Sequence, residues 1–446
     1  MPVVRDKLPR CHRPVRAHVF AAAVFAGAIV RLAALPLPGT VDMGSWKVWA
    51  YASSDRVTAV YGVGGNPPVR GVVHWGTRQT TVDYPPGTLY VLAAVGRVYR
   101  AFAPDFPDSD TLSALIKLPG LLAGAGLSAL LYREVRRRTG SVESARWAAL
   151  ACWINPALIL NGEALGYLDP LMMLPAVAAL ILADTGRWTS AGAAAALAMM
   201  IKPQGVLVLP VVALTLWSSG EWRALARAAL SGAALAVVLL LPFASAGALP
   251  NIWLAFGAFY ERRDALSANA ANLWWIVNWA LRFVQLVPER GVTAALGVPV
   301  PHILTITRFQ ELGFPNPRPF ATAAVGVACA WACWQARRRL TLALLAAAGA
   351  FAVHAFFVLM VGVHEPHQVL EIPLLALAAA LCPAFRPAFY AVSAIVALNL
   401  NLFYGISRTW GWAVPRTLTV IDATVVLSVV NVVVFAWLAR TLHREA

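Results

Sequence analysis

The chain has 446 residues, of which 59% are hydrophobic and only 13% are charged, and its mean hydropathy is +0.66. Soluble domains carry about 25% charged residues, so this composition excludes an ordinary soluble protein as well as the disordered, collagen-like and disulfide-rich classes. Because each membrane crossing takes about 20 apolar residues, the length leaves room for about a dozen helices. We therefore predict an all-α polytopic membrane protein.

The formal net charge of +15 comes from 36 Lys and Arg against 21 Asp and Glu. The cations cluster at the ends of apolar segments, where they orient helices and meet anionic lipid headgroups. We interpret the charge as a sign of membrane topology and expect no nucleic-acid partner. The spacing of the five cysteines predicts neither a disulfide framework nor a zinc site.

The first apolar segment, residues 17–36, follows a basic N-terminus. It lacks a clear cleavage site, and Arg31 interrupts its end, so it predicts an uncleaved first helix with a cytoplasmic N-terminus. The next stretch, 37–110, is too long and too mixed for an ordinary connection, which predicts a large outer loop.

Two apolar segments follow one another at 84–102 and 111–132. The second ends in Arg133, Arg136, Arg137 and Arg138, which would face outward if both segments crossed the membrane. We therefore predict an interfacial helix at 84–102 and the second crossing at 111–132. The outer loop is then partly helical.

The remaining apolar segments alternate without conflict and give about twelve crossings with both termini in the cytoplasm. A second large outer loop, 244–319, carries Trp274, Trp275 and Trp279, which predict helices at the membrane interface. We divide the chain into an N-terminal module, 1–243, with seven spans, and a C-terminal part, 244–446, with this loop and the last helices. The predicted later spans are 147–160, 170–183, 191–201, 206–217, 225–243, 320–334, 340–362, 369–381, 388–404 and 420–438.

With this topology, most ionisable residues near membrane depth lie on the outer face. Such a group costs several kcal/mol unless it is paired or hydrated, so each is a functional candidate. The alternative is that these groups cap helices, pair with one another or contact water at loop ends. The set comprises Asp42, Asp83, Lys117, Glu163, Asp169, Lys202, Arg262, Arg263, Asp264, His364, Glu365 and His367.

Acids beside cations suit the attack of a hydroxyl on a phosphate-activated group. A carboxylate accepts the proton as general base, and Lys, Arg and His neutralise charge on the departing phosphate. The same residue types also suit ion coupling in a transporter. His364, Glu365 and His367 could ligate a metal, but Pro366 breaks the helical spacing that would align them, so we expect no metal site.

Several short motifs occur in a defined order between residues 41 and 370. In this order, with two long outer loops, the chain resembles the GT-C superfamily of polyprenyl-phosphate-sugar-dependent glycosyltransferases. It is most similar to bacterial mannosyltransferase-type members, which are related to enzymes that add mannose to glycosylphosphatidylinositol or glucose to the dolichol-linked glycan. The motifs are Asp42 with Lys47 and Trp49, Asp83-Tyr84-Pro85-Pro86, Lys117, Asn155-Pro156 with Asp169, Lys202-Pro203-Gln204, Ser267 to Trp274, and Val363-His364-Glu365.

This resemblance implies a GT-C fold and an inverting transfer of a hexose, mannose or glucose, from a polyprenyl-phosphate donor, without a metal or other cofactor. The acceptor would be a glycolipid or polysaccharide, and the active site would lie on the extracytoplasmic face of the cell membrane. Asp42 would be the catalytic base. Donor phosphate would be bound by Lys202, Lys117, Arg262, His364 and His367. The residues that would position the sugar or the first loop are Asp83, Tyr84, Asp169, Lys47, Glu365 and Asn272.

Two other functions stay open at this point. A secondary transporter or lipid flippase would place ionisable groups near the bilayer midplane between repeated halves. The sequence shows no internal repeat, although Glu371 and Asp422 could lie within late spans. A non-catalytic scaffold with a degenerate site is the third possibility.

Overall fold

The computed structural model describes residues 16–63, 71–218, 220–262, 264–300, 304–407 and 412–446, with the side chains of 258–262 excepted. The basic residues before Arg16, as well as Cys11 and Arg263, lie outside this part of the chain. Within it, α-helices are joined by short turns, and one two-stranded hairpin occurs. The described cysteines, Cys152, Cys329, Cys333 and Cys382, form no disulfide.

The first half of the chain contains one membrane helix, a folded outer loop and then a run of membrane helices. Its elements are α1 (Ala17–Ala34), α2 (Asp42–Arg56), β1 (Val72–Trp75), β2 (Arg78–Thr81), α3 (Pro86–Phe102), α4 (Asp110–Thr139), α5 (Val142–Trp153), α6 (Pro156–Ile159), α7 (Asp169–Asp184), α8 (Trp188–Ile201), α9 (Leu209–Trp217) and α10 (Trp222–Ser245).

The second half begins with the other outer loop and ends in five long helices. Its elements are α11 (Leu249–Arg262), α12 (Leu273–Arg290), α13 (Val292–Gly297), α14 (Ile306–Glu311), α15 (Pro317–Ala336), α16 (Leu342–Leu359), α17 (Glu371–Leu381), α18 (Arg386–Tyr404) and α19 (Ala423–Glu445).

Each of the twelve predicted spans coincides with a helix or a pair of short helices. Among the described residues, six helices are long and apolar enough to cross a membrane, and the other spans are shorter or interrupted. The prediction of an all-α multi-pass membrane protein is confirmed. The division at residue 243 stays a prediction.

Two proline motifs interrupt the membrane helices and create turns that carry polar residues. Asn155 caps α6 by accepting a hydrogen bond from the Ala157 amide (3.0 Å), and Pro156 takes the first helical position. Helix α8 ends at Ile201 because the residue before a proline avoids the helical conformation. Lys202, before Pro203, is accordingly extended (φ −148°, ψ 134°).

The first outer loop is built on α2 and α3, which pack side by side. Their approach is close: a Cβ added at Gly96 on α3 would lie 2.2 Å from the Ala50 carbonyl oxygen on α2. The hairpin joins these helices, with Trp75 pairing with Arg78 at the turn. The prediction that the long loop 37–110 is partly helical is therefore confirmed, with its second helix beginning at Pro86. The interfacial position of that helix stays a prediction.

The second outer loop is also largely helical, and its longest described helix, α12, carries the predicted tryptophans. Trp275 is almost fully buried and donates a hydrogen bond to Thr424 Oγ1 of α19 (2.8 Å). Trp274 donates to the Leu359 carbonyl at the end of α16 (2.7 Å). Both rings therefore fasten the loop to membrane helices, a role that the sequence analysis did not predict for them.

Candidate active site

Both outer loops contribute to one cavity of about 310 Å³. Seven of the predicted site residues line it: Asp42, Asp83, Tyr84, Lys202, His364, Glu365 and His367. Asp42 and His367, the two most distant of them in sequence, are 325 positions apart. The other lining residues are Val41, Ser45, Trp46, Trp49, Thr80, Thr81, Tyr167, Ala268, Asn269, Pro366 and Tyr404.

Asp42 is the first residue of α2, and the chain leading into it is held firmly. Gly39 has a positive φ of +73°, and a Cβ there would lie 2.6 Å from the Leu165 carbonyl oxygen, so this position favours glycine. The next residue, Thr40, donates its amide to the same carbonyl (3.0 Å). The half-buried Asp42 carboxyl thus sits at a helix N-terminus, where the helix dipole stabilises a negative charge.

Lys202 and Asp169 form a buried ion pair at the edge of the cavity. The Lys202 Nζ to Asp169 Oδ1 distance is 2.6 Å, and each side chain is only 2% exposed. The same ammonium lies 5.6 Å from the centroid of the Tyr84 ring, within cation–π range. Lys202 lines the cavity and Asp169 does not, so the ion pair contacts the cavity through the lysine.

Glu365 is a buried carboxyl that lines the same cavity. Its Oε1 accepts a hydrogen bond from the Tyr167 hydroxyl, and its Oε2 lies 3.9 Å from His364 Nδ1. Burial raises the pKa of Glu365 to about 7, and the nearby charge of Asp42 adds to this rise. Tyr404, which also lines the cavity, accepts a hydrogen bond from Asn269 Nδ2 (3.3 Å).

We expect Glu365→Gln to stabilise the protein at pH 8 but hardly at pH 5. An unfolded Glu ionises near 4.5, whereas the folded carboxyl holds its proton to about 7, so the wild type loses stability as pH rises through this window. Glutamine still accepts from Tyr167 and never ionises. Thermal unfolding in detergent at pH 5, 6.5 and 8 measures the difference.

The charged and titratable groups that face Glu365 are Asp42 from α2, His364 from its own turn, and the hydroxyls of Tyr167 and Tyr404. Glu311→Gln is the control, because Glu311 is exposed and pairs with Arg308. A stabilisation by Glu365→Gln that is equal at all three pH values would contradict the prediction.

The two histidines share one turn after α16. The His364 backbone amide donates to His367 Nδ1 (3.2 Å), so a neutral His367 ring carries its proton on Nε2, which is 2.8 Å from the Gln204 side-chain nitrogen. The Gln204 oxygen is buried without a partner in this orientation, so the amide is better turned to accept that proton. His364 is 38% exposed and the more accessible of the two.

Besides Asp169, three described site residues lie outside the cavity lining and contact the structure around it. Lys117 donates to the backbone carbonyls of Leu37 (2.6 Å) and Ala164 (3.1 Å), which places it beneath the chain that leads to Asp42. Lys47 pairs with Asp108 (2.5 Å). Asn272 caps α12 by accepting from the Trp275 amide (2.9 Å). The side chain of Arg262 lies outside the described residues.

The other ionisable candidates have partners away from the cavity. Glu163 pairs with Arg31 on α1 (2.5 Å), and Asp264 accepts from the Thr307 amide (2.9 Å). These contacts agree with the alternative interpretation of both as paired or capping groups. Asp422 caps α19 and pairs with Arg416 (2.5 Å), and Glu371 contacts His354 (2.9 Å).

Several lining residues were not predicted by sequence reasoning. Tyr167 lies in a short turn after a π-helical segment, and Tyr404 ends a membrane helix, where an aromatic residue is typical of the lipid interface. Trp46 donates its indole N–H to the Gly166 carbonyl (3.1 Å), which connects α2 to the Tyr167 turn. Only the polar surroundings of these positions in the sequence could have signalled them.

No family model matches this sequence, and no curated protein matches it. Its structure is similar to the crystal structure of ArnT from Cupriavidus metallidurans in the apo state, with a TM-score of 0.50 and 15% identity. The alignment covers 95% of this chain and 76% of that chain. The chain has the GT-C fold.

Within the GT-C fold, the cavity joins the first outer loop to the turns that end the membrane helices. In the described part of the chain, no group of three His, Cys, Asp or Glu side chains is arranged to hold a metal ion. The expectation of metal-independent chemistry stays a prediction.

Proposed function

We propose that this protein is a membrane glycosyltransferase that moves a hexose, mannose or glucose, from a polyprenyl phosphate to a hydroxyl of an extracytoplasmic glycolipid or polysaccharide. The observation that carries the proposal is the shared cavity of Asp42 and Lys202, with His364 beside them. One carboxylate and several cationic or protonatable donors are the groups that a displacement at a sugar phosphate requires. The GT-C fold supports the same class of reaction.

In the proposed reaction, Asp42 accepts the proton of the acceptor hydroxyl. The acceptor oxygen then forms a bond to the anomeric carbon as the bond from that carbon to the phosphate oxygen breaks. The configuration inverts, and polyprenyl phosphate leaves with an additional negative charge. The helix N-terminus at Asp42 favours a negative charge on this carboxylate, which is the form that a general base needs.

Lys202 and His364 are proposed to bind the phosphate. Asp169 balances the Lys202 charge and holds the ammonium in place, so the lysine is already oriented when the donor binds. Asp83, Tyr84 and Glu365 line the remaining wall, where they would position the sugar. We place the cavity on the extracytoplasmic side, with both termini in the cytoplasm.

The lipid chain of the donor is proposed to lie in an apolar groove between α8, α9 and α10. The groove is lined by Met199, Met200 and Leu209, among other apolar residues. Met200 is two residues before Lys202, so one end of the groove is close along the chain to the proposed phosphate site. In this arrangement the donor would enter from within the bilayer.

The proposal is tested with purified protein in detergent or vesicles. The protein is incubated with polyprenyl-phosphate mannose, polyprenyl-phosphate glucose or a nucleotide sugar, each with total membrane lipid. A lipid product heavier by one hexose is expected with at least one polyprenyl donor, with equal yield in EDTA. Transfer from the nucleotide sugar alone, or no product from any donor, would reject the proposed function.

A further inference from the structure

Four polar side chains meet in a buried cluster that the proposed chemistry does not use. They are His354 on α16, Glu371 at the start of α17, Asn431 on α19, and Gln368 in the turn between α16 and α17, and none is more than 1% exposed. Polar groups buried in a membrane protein are costly unless every one finds a partner.

The hydrogen bonds fix how protons are arranged in this cluster. Asn431 Nδ2 donates to the Ala271 carbonyl (2.8 Å), so its Oδ1 faces the opposite way, 3.0 Å from His354 Nε2. His354 Nε2 must therefore carry a proton. His354 Nδ1 lies 2.9 Å from Glu371 Oε1, so the hydrogen bond between these two atoms needs one further proton.

Gln368 closes the cluster. Its Nε2 donates to Glu371 Oε2 (2.9 Å) and to Asn431 Oδ1 (3.2 Å), and its Oε1 accepts from Asn431 Nδ2 (3.1 Å). All polar atoms of the four side chains are thus hydrogen-bonded to one another or to the Ala271 carbonyl. A network that is completely satisfied in this way fixes the relative positions of the elements it joins.

Two of those elements form one wall of the cavity. Gln368 belongs to the same 3₁₀ turn as Glu365 and His367, and Ala271 follows the lining residue Asn269 by two positions. The two segments are also joined directly, because the Ala268 amide donates to the Val363 carbonyl (2.9 Å). The cluster therefore ties segments 267–272 and 363–368 together and to helices α16 and α19.

We propose that His354, Glu371, Gln368 and Asn431 are positioning residues that set the place of the cavity wall carrying Asn269, His364 and Glu365. They control donor binding and turnover without touching substrate. This inference rests on the proposed transferase function, and the experiment below separates the two.

The test uses substitutions that break and then restore the hydrogen bonds. Glu371→Gln keeps every bond, because its amide can donate to a neutral His354 Nδ1 and accept from Gln368. His354→Gln keeps the bond to Asn431 but turns its amide oxygen toward the Glu371 carboxylate. In the double variant, the amide introduced by Glu371→Gln donates to that oxygen, so complementarity returns.

We expect His354→Gln to lower kcat/KM for the polyprenyl donor about tenfold or more per folded molecule, since small misplacements of reacting groups carry such penalties. The double variant is expected to return to within about threefold of wild type, a recovery that measures the pairwise coupling. Glu371→Gln is expected to resemble wild type. Ser393→Ala is the control, because Ser393 makes a buried hydrogen bond to Asn155 (2.9 Å) away from the cavity.

Hydrogen exchange gives a readout without substrate. His354→Gln is expected to speed amide exchange in 264–272 and 362–370 but not in 42–49, and the double variant is expected to reverse this. If His354→Gln does not fold, Gln368→Met is used instead. This substitution removes the hydrogen bonds from the turn to Glu371 and Asn431 and is expected to give the same kinetic and exchange changes.

A variant that lowers only thermal stability, with wild-type kcat, KM and exchange, would show that the cluster is merely structural and would overturn the inference. Wild-type protein that transfers no sugar would reject the proposed function. In that case the exchange measurements still decide whether the cluster positions the wall.

Discussion

Asp42→Asn is expected to abolish sugar transfer, with a fall in rate of about 10²–10⁴-fold, the usual contribution of a general base. Asparagine keeps the size of the side chain and can still occupy the start of α2, but it cannot take the acceptor proton. Donor binding and expression should change little, since the Lys202 side of the cavity is untouched. The rate is measured as hexose transferred to lipid by purified protein, alongside donor affinity.

Asp55→Asn is the matched control, because Asp55 lies at the other end of α2, is exposed and pairs with Arg100. This variant should transfer sugar at the wild-type rate. If Asp42→Asn keeps more than about a tenth of the wild-type rate, Asp42 is not the general base.

The second large effect is expected at Lys202. Lys202→Met leaves Asp169 buried without its cation, which typically costs about 3–5 kcal/mol, so both stability and donor binding should fall. In the double variant Lys202→Met with Asp169→Asn, the buried charge is gone and stability should largely recover. Donor binding should not recover, because the phosphate still lacks its cation.

Two properties of the double variant are therefore measured and compared with wild type: its thermal stability, which should recover, and its affinity for the donor, which should stay low. Asp184→Asn provides the control: Asp184 lies at the opposite end of α7 from Asp169 and pairs with Arg138. Wild-type donor affinity in the stabilised double variant would remove Lys202 from phosphate binding.

Hydropathy and the distribution of arginines were sufficient to predict the membrane helices. The choice of 111–132 over 84–102 as the second crossing depended on the arginines after Tyr132, and α4 is long and apolar enough to cross a membrane. The interfacial position of α3 stays a prediction. The predicted span 191–201 ends at the same residue as α8. Pro203 keeps Lys202 out of the helical conformation, so this predicted site residue also has extended backbone angles between two helical segments.

Sequence reasoning was less able to separate residues in the cavity from those that support it. Lys117 resembles Lys202 in the sequence, since both are single cations at the end of an apolar segment. Lys117 binds two backbone carbonyls, whereas Lys202 faces a carboxylate and the cavity. The partners of both lysines come from chain segments that are distant in sequence. A single sequence does not indicate which of these segments will contact each lysine in the fold. The same reason explains why Tyr167 and Tyr404 were missed.

The pair of Arg31 and Glu163 has a consequence for how the protein is made. The two residues are 132 positions apart, and Arg31 also donates to the Trp153 carbonyl (2.8 Å) and the Cys152 carbonyl (3.1 Å). The chain is synthesised from its N-terminus, so α1 enters the membrane long before any of these acceptors exists. The contacts of Arg31 that hold the first helix can therefore form only after the turn that carries Glu163 has been synthesised and inserted.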